Sequence, residues 1–213
     1  MSAPHGTVVG MRTNWESKIP ASRGLLPSGA PMARTDANGS TESPVAFLGV
    51  YPAATRLCRK SVGGKVLNLP LEDERRSFEE TSRSGRDLDE HYLQPLGLAR
   101  EMVYLVDMMP YFLANTAVGK SGRSMAENIR LYDRQQPAGR KLGIEPRPEP
   151  DALIDRCRTM RGNRERLEHL LGSSRAKVLF TLGAEAAACA RGFATEKEGR
   201  AVLYAEPARL DVF

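Results

Sequence analysis

VAFLGVYPAA, residues 45–54, is the stretch that decides the fold. It begins with a uniformly apolar run, and Gly49 and Pro52 then turn the chain. A short apolar run that is bounded by Pro44 on one side and by a turn on the other predicts a strand buried on both faces. The turn itself is either the floor of a binding pocket or simply the end of a core strand.

Outward from this strand, apolar runs and helical spacing alternate along the chain. Further strands are predicted at KVLNLPL (65–71), MVYLVDMM (102–109), KVLFTLG (177–183) and, ending in a turn, AVLYAEPARLDVF (201–213). Helices are predicted at SGRDLDEHYLQPLGL (84–98), at DALIDRCRTMRGNRERLEHLLG (151–172), where Gly162 and Asn163 can divide the helix in two, and at AEAAACAR (184–191). This alternation predicts an α/β fold, a three-layer sandwich with a central, mostly parallel sheet between helices.

The chain divides into two regions by composition. Residues 1–43 are rich in Ser, Gly, Pro and Thr and show no sustained period, which predicts a flexible N-terminal arm. The α/β domain is expected to span residues 44–213. In open α/β sheets, ligands bind outside the carboxyl ends of the strands. Three segments meet this description, and they are 49–55, 107–115 and 206–209.

Composition limits the class of protein. Of the 213 residues, 41% are hydrophobic and 27% are charged, which is typical of a globular protein. No apolar run approaches the roughly 18 residues that span a bilayer, and the N-terminus lacks the apolar stretch of a secretory signal. We therefore expect a soluble, cytoplasmic protein without a membrane partner.

The three cysteines and three histidines are scattered along the chain. None of them shows metal-ligand spacing, so no metal site is expected. The formal net charge is +5, which is compatible with a polyanionic partner but does not by itself indicate one. The segment 120–143 is markedly basic and either lines a nucleic-acid groove or is a surface insertion.

Four stretches together resemble the uracil-DNA glycosylase superfamily. GVYPAA (49–54) resembles its first motif, a Gly-x-x-Pro turn after the first core strand. LDEHYLQPLGLAREMVYLVDMMPYFLAN (88–115) and AKVLFTLGAEAAA (176–188) resemble two later segments in the same order, and EPAR (206–209) stands where the family has His-Pro-Ser or His-Pro-Ala. The resemblance implies a glycosylase-like fold and a protein that acts on a base flipped out of single- or double-stranded DNA, as in base excision repair.

The reaction of that family is hydrolysis of an N-glycosidic bond. The transition state resembles an oxocarbenium ion and releases an anionic base, so the enzyme orients water near the sugar and aims donors at the leaving base. The flipped base also has to be read along its edge in a pocket. No cofactor is implied, because the four cysteines that hold an iron–sulfur cluster in some branches of the family are absent.

The chain departs from the family pattern at three places. Val50 and Tyr51 stand where the family has a water-positioning Asp, Asn or Glu. Asp107 replaces an Asn that reads the base, and Glu206 replaces the His that stabilises the leaving anion. An ionised Asp107 only accepts hydrogen bonds, which suits an exocyclic amino group better than the edge of uracil.

The resemblance nevertheless assigns candidate residues. Asp107 is the candidate catalytic acid if the protein is an enzyme, a hydrolase of the glycosylase type. The candidate base pocket consists of Gly49, Val50, Tyr51, Pro52, Asn115 and Glu206. The candidate phosphate contacts are Arg56, Arg59 and Lys60.

Two other functions remain open at this point. The first is a catalytically inactive member of the fold that binds nucleic acid or nucleotide, and the loss of the expected polar groups favours it. The second is an unrelated α/β hydrolase or nucleotide-binding enzyme. The geometry of Tyr51, Asp107 and Glu206 distinguishes these functions, because a glycosylase requires them to converge on one cleft.

Overall fold

The computed structural model describes residues 14–119 and 121–193. Within these residues the chain is mixed α/β. The strands are β1 (Ser22–Leu25), β2 (Pro31–Ala33), β3 (Asn38–Gly39), β4 (Val45–Gly49), β5 (Ala54–Val62), β6 (Lys65–Asp73), β7 (Val103–Asp107) and β8 (Val178–Thr181). The helices are α1 (Arg83–Leu88), continued by a π-helical turn (Asp89–Leu93), α2 (Met125–Asp133), α3 (Pro150–Thr159), α4 (Asn163–Ser173) and α5 (Ala184–Phe193).

The predicted strand at 45–50 lies at the centre of a four-stranded sheet with the order β3-β7-β4-β8. β4 runs parallel to β7 and to β8, so that Val45 lies opposite both Val103 and Val178. β3 pairs with β7 in the antiparallel direction and makes the sheet mixed. The parallel core of the sheet follows the sequence prediction, whereas the antiparallel edge strand was not predicted.

Alternate residues of β4 pack on opposite faces of the sheet. Ala46 and Leu48 belong to a core cluster with Leu153 of α3 and Ala186 of α5. Phe47, which points the other way, belongs to a second cluster that includes Leu88 of α1. The uniformly apolar sequence of this strand is explained by burial on both faces.

The long helix predicted at 151–172 is divided as its sequence indicates. α3 begins with Pro150 in its first turn, where the missing backbone N–H costs nothing. The chain then turns at Gly162, which has a φ of 80°, and α4 begins at Asn163. Gly162 therefore does separate two helices as predicted, whereas Asn163 is the first residue of the second helix.

The long hairpin of β5 and β6 was only half predicted. The sequence indicated a strand at 65–71, whereas no strand was predicted at 54–62, where Arg56, Arg59 and Lys60 were candidate phosphate contacts. The hairpin turns at Gly63 and Gly64, whose φ angles are 55° and 73°. Two successive residues with positive φ are the requirement of a tight hairpin turn, so the Gly-Gly pair was a usable signal.

The flexible arm predicted for residues 1–43 is wrong for residues 14–43. Trp15, Ile19, Leu26 and Met32 are buried, and the amide of Thr35 donates to the carbonyl of Pro110 at 2.7 Å. The described part of this segment forms turns and the short strands β1, β2 and β3, and these buried apolar side chains anchor it. Such anchors show no period, which is why the composition indicated disorder.

Some predictions lie outside the described residues, namely the strand at 201–213 and the candidate residue Glu206. Within the described part of the chain, no helix combines the length and the apolar character that crossing a bilayer requires.

Candidate functional site

The carboxyl ends of β4, β7 and β8 meet at one edge of the sheet. Gly49 lies opposite Asp107 in the parallel register. Beyond the strands, the amide of Met108 donates to the carbonyl of Gly49 at 2.9 Å, and the amide of Met109 donates to the carbonyl of Val50 at 3.0 Å. The structure therefore brings together the predicted turn at Gly49 and the predicted acid Asp107.

The carboxyl group of Asp107 is buried and incompletely paired. The residue is 2% exposed, and its Oδ2 atom has no hydrogen-bond partner among the described residues. Burial raises the pKa of Asp107 to about 7, and the nearby carboxylate of Glu74 acts in the same direction. The Ser77 hydroxyl and the Arg166 guanidinium oppose this shift without cancelling it. A carboxyl group with such a pKa exists in both protonation states near neutral pH.

A loop after β6, residues 74–82, supplies the second buried acid. Glu74 is 1% exposed, accepts a hydrogen bond from Ser84 Oγ at 2.8 Å, and has its pKa raised by burial. The loop is fixed to the N-terminal segment by the Thr35 hydroxyl, which donates to the carbonyl of Glu74 at 2.9 Å. The buried hydroxyl of Ser77, like Asp107 Oδ2, has no partner within hydrogen-bonding distance and angle in the part of the chain that the structure describes.

Phe78 of this loop covers Gly49. Phe78 is a buried non-glycine residue with a φ of 55°, a left-handed conformation that is strained for a bulky side chain. Its carbonyl accepts a hydrogen bond from Arg100 Nη1 at 2.6 Å, which holds the loop in this position. Sequence reasoning did not identify Glu74, Ser77 or Phe78, because the segment is polar and has no period.

Glycine is required at position 49 because neighbouring side chains lie too close to leave room for a Cβ atom. A Cβ atom at this position would lie 2.4 Å from Phe78 Cζ and 2.5 Å from Asp107 Oδ1. Gly49→Ala is therefore expected to lower the free energy of unfolding by about 1–3 kcal/mol, measured by urea denaturation.

Gly172→Ala is the matched control for this substitution. No atom lies within 4 Å of the added Cβ, and the position is in α4. Alanine is the better helix former, so the control variant is expected to be as stable as the wild type or more stable by up to about 1 kcal/mol. Equal stability of the two variants would contradict the contact between Gly49, Phe78 and Asp107.

Arg166 holds the backbone at the end of β7 in place through hydrogen bonds. This arginine is 1% exposed, and its Nη1 atom donates to the carbonyl of Asp107 at 3.1 Å and to Asn163 Oδ1 at 3.2 Å. Burial lowers the pKa of Arg166 to about 10, and the charge of Asp107 opposes that shift. In the sequence, no local signal distinguishes this arginine from its exposed neighbours Arg164 and Glu165.

Tyr51 lies at the same edge and already has a cationic neighbour. The guanidinium carbon of Arg147 lies 5.8 Å from the centre of the Tyr51 ring, and Arg147 forms an ion pair with Glu185 of α5. Burial raises the pKa of Tyr51. The ring of Tyr51 is thus half-buried, with a cation on one side.

The other predicted pocket and phosphate residues are spread more widely. Pro52 is buried beside the turn, whereas Asn115 is exposed and its Oδ1 atom accepts a hydrogen bond from the amide of Ala117 at 2.8 Å, as in an ordinary loop. Arg56, Arg59 and Lys60 are exposed on β5. At about 3.3 Å per residue, Lys60 lies roughly 20 Å along the hairpin from Ala54. Arg59 and Lys60 therefore lie far along the hairpin from the turn at Gly49, whereas Arg56 is only two residues beyond Ala54.

A separate groove runs along α2. It has a volume of about 710 Å³, and its walls carry both acidic residues (Glu127 and Asp133) and basic ones (Arg130, Arg134 and Lys141). This groove lies in the basic segment 120–143, but it does not include Gly49 or Asp107. Among the described residues, no group of three acidic, histidine or cysteine side chains is placed to hold a metal ion.

A scan against models of protein families gives no match, and neither does a search of curated proteins.

Proposed function

We propose that this chain has a uracil-DNA glycosylase-like three-layer sandwich and binds a flipped base in DNA, whose N-glycosidic bond it hydrolyses. The observation that carries the proposal is the state of Asp107, which is a buried carboxyl group with a pKa of about 7 and an unpartnered oxygen beside Gly49. The resemblance of residues 49–54, 88–115, 176–188 and 206–209 to the glycosylase motifs supports the same function.

The protonation state decides what Asp107 can recognise. An ionised carboxylate only accepts hydrogen bonds, but a neutral carboxylic acid donates through one oxygen and accepts through the other. A neutral Asp107 therefore offers the same donor and acceptor pair as an asparagine. This pair complements the N3–H and O4 groups of uracil, so the replacement of the family's Asn does not exclude a uracil-like edge.

The same proton is useful for the chemistry. The departing base carries negative charge, which a neutral acid stabilises and an ionised acid repels. A pKa near the working pH is the condition under which a general acid is most effective. Asp107 thus fits the role of a donor to the base. Val50 and Tyr51 carry no carboxylate, so neither of them can activate water as an acidic residue at this turn would.

Access to Asp107 requires a local movement. The carboxyl group is buried, and the ring of Phe78 lies over Gly49 next to it. We infer that the ring of Phe78 moves aside when a base enters. The left-handed backbone of Phe78 favours such a movement, because leaving this conformation relieves strain.

Single-stranded oligonucleotides that carry uracil, thymine, cytosine, adenine, guanine or hypoxanthine at one position test the proposal. We expect the wild-type chain to produce an abasic site with at least one of these bases, detected as strand cleavage by alkali. Asp107→Ala is expected to lose this product, whereas Asp87→Ala, a control at a half-exposed ion pair on α1, keeps it. No abasic product from the whole panel would contradict the hydrolytic function.

A base-binding protein without catalysis is the second candidate. It is favoured because Val50 and Tyr51, the two residues at the turn, cannot activate water. The cation beside Tyr51 also favours it. Under this alternative, the panel gives binding that depends on Asp107 but no abasic product. The assay therefore separates the two functions.

The basic hairpin residues give a prediction about nucleic-acid affinity. Arg59 and Lys60 are exposed, and no described carboxylate pairs with either of them, whereas Arg56 lies 3.6 Å from Glu72. If Arg59 and Lys60 contact phosphates, the double alanine variant is expected to make the negative slope of log K against log salt concentration shallower by about 1–2. The measurement is a salt titration of oligonucleotide binding.

The matched control for this titration is Arg83→Ala on α1, whose side chain is also exposed. It removes one positive charge without touching the hairpin. A slope that changes as much in this variant as in the hairpin variant would argue against phosphate contacts on β5.

A further inference from the structure

Two of the three cysteines lie in direct contact in the core. The Sγ atoms of Cys157 in α3 and Cys189 in α5 are 2.9 Å apart, although the residues are separated by 32 positions in sequence. Both side chains are fully buried. The third cysteine, Cys58, lies on the β5 strand and packs against a different core cluster.

We propose that Cys157 and Cys189 form an oxidant-dependent disulfide that crosslinks α3 to α5. The sulfur atoms need to approach by only roughly 0.9 Å to reach a disulfide bond length of about 2.0 Å. The two helices are already packed against each other through the core cluster that contains both cysteines. Closing the bond therefore requires a small side-chain movement rather than a rearrangement of the fold.

The hydrogen bonds around Cys157 accommodate the loss of its thiol proton. Cys157 Sγ lies 3.6 Å from the carbonyl of Met108, which also accepts a hydrogen bond from Asn163 Nδ2 at 3.0 Å. Asn163 Nδ2 also lies 3.1 Å from the carbonyl of Cys157. When the thiol proton is removed, the carbonyl of Met108 therefore keeps a donor in Asn163.

The proposed oxidant is hydrogen peroxide, because only a small molecule can reach thiols that are fully buried. The sulfur of one of the two cysteines attacks one peroxide oxygen, the O–O bond breaks, and the released hydroxide takes the thiol proton to form water. The sulfur of the other cysteine then attacks the resulting sulfenic acid. The S–S bond forms as the S–O bond breaks, and the second hydroxide leaves as water with the proton of the second thiol.

Thiol mapping of the full chain tests the proposal. The folded protein is treated with hydrogen peroxide or with a reductant, then denatured, alkylated and digested without reduction. We expect the peroxide sample to contain a peptide pair joined through Cys157 and Cys189, with Cys58 alkylated, and the reduced sample to contain three alkylated cysteines. In Cys58→Ser the same crosslinked pair is expected, and no alkylated cysteine remains.

A thermal unfolding measurement provides the second readout. A crosslink across this loop is expected to raise the Tm of the oxidised chain by about 10 °C over that of the reduced chain. Cys189→Ser is expected to have the same Tm with and without reductant. The proposal is overturned if Cys157 and Cys189 are both alkylated after peroxide treatment, if either one pairs with Cys58 instead, or if the crosslinked chain has no higher Tm.

Discussion

Arg166→Met is expected to lower the free energy of unfolding by about 3–5 kcal/mol, measured by urea denaturation. The buried guanidinium donates to the carbonyl of Asp107 and to Asn163 Oδ1, and methionine supplies similar bulk but no donor. Both oxygens lose a charge-assisted hydrogen bond in a place that water does not reach. The effect follows from unpaired buried acceptors and not from a cavity.

Arg164→Met is the matched control on the same helix. Arg164 pairs with Glu168 at 2.9 Å, but both side chains are about half exposed, so solvent screens the pair. Its loss is therefore expected to change the free energy of unfolding little. Similar effects of the two substitutions would contradict the role of the Arg166 hydrogen bonds in holding the end of β7.

Asp107→Asn is expected to make the protein more stable than the wild type at pH 8, by as much as about 4 kcal/mol, and to change stability little at pH 4. The pKa of Asp107 is raised from 3.8 to about 7, so the folded chain keeps a proton that the unfolded chain releases. Each pKa unit corresponds to about 1.4 kcal/mol. Asparagine keeps the shape of the side chain without this ionisation.

The sign of the pH effect follows from proton linkage. Between about pH 4 and pH 7 the folded state binds more protons at Asp107, so the contribution of this group is full at low pH and is lost as the pH rises. Burial also raises the pKa values of Asp73 and Glu74, and both act in the same direction. The difference between wild type and Asp107→Asn, measured from pH 4 to pH 8, isolates the part that belongs to Asp107. An equal pH slope in both proteins would contradict the raised pKa.

The sequence predicted the elements that have strong local patterns. β4, β7 and β8 are continuous apolar runs, and the end of each run is marked by Gly or Pro or by a polar residue. The expectation that Gly49 and Asp107 share one sheet edge followed from these runs and from the rule for parallel strands. The register of the two strands confirms that placement.

The parts that the sequence did not predict depend on contacts between distant segments. Arg166 and Glu74 are charged residues of types that are usually exposed, and only the fold shows that they are buried beside Asp107. The anchoring of residues 14–43 similarly depends on single apolar side chains such as Trp15. A local pattern cannot reveal such burial, because the partners come from elsewhere in the chain.

The pH dependence of base recognition tests the role of a neutral Asp107. The quantity to measure is the affinity for the oligonucleotide with the preferred base, divided by the affinity for the same strand with an abasic site, from pH 6 to pH 8. For the wild type this ratio is expected to fall as the pH rises through about 7, because Asp107 loses its donor. Asp107→Asn is expected to keep the ratio constant over this range, and Asp107→Ala to have a low ratio throughout. A wild-type ratio that stays constant or rises with pH would contradict recognition by the protonated acid.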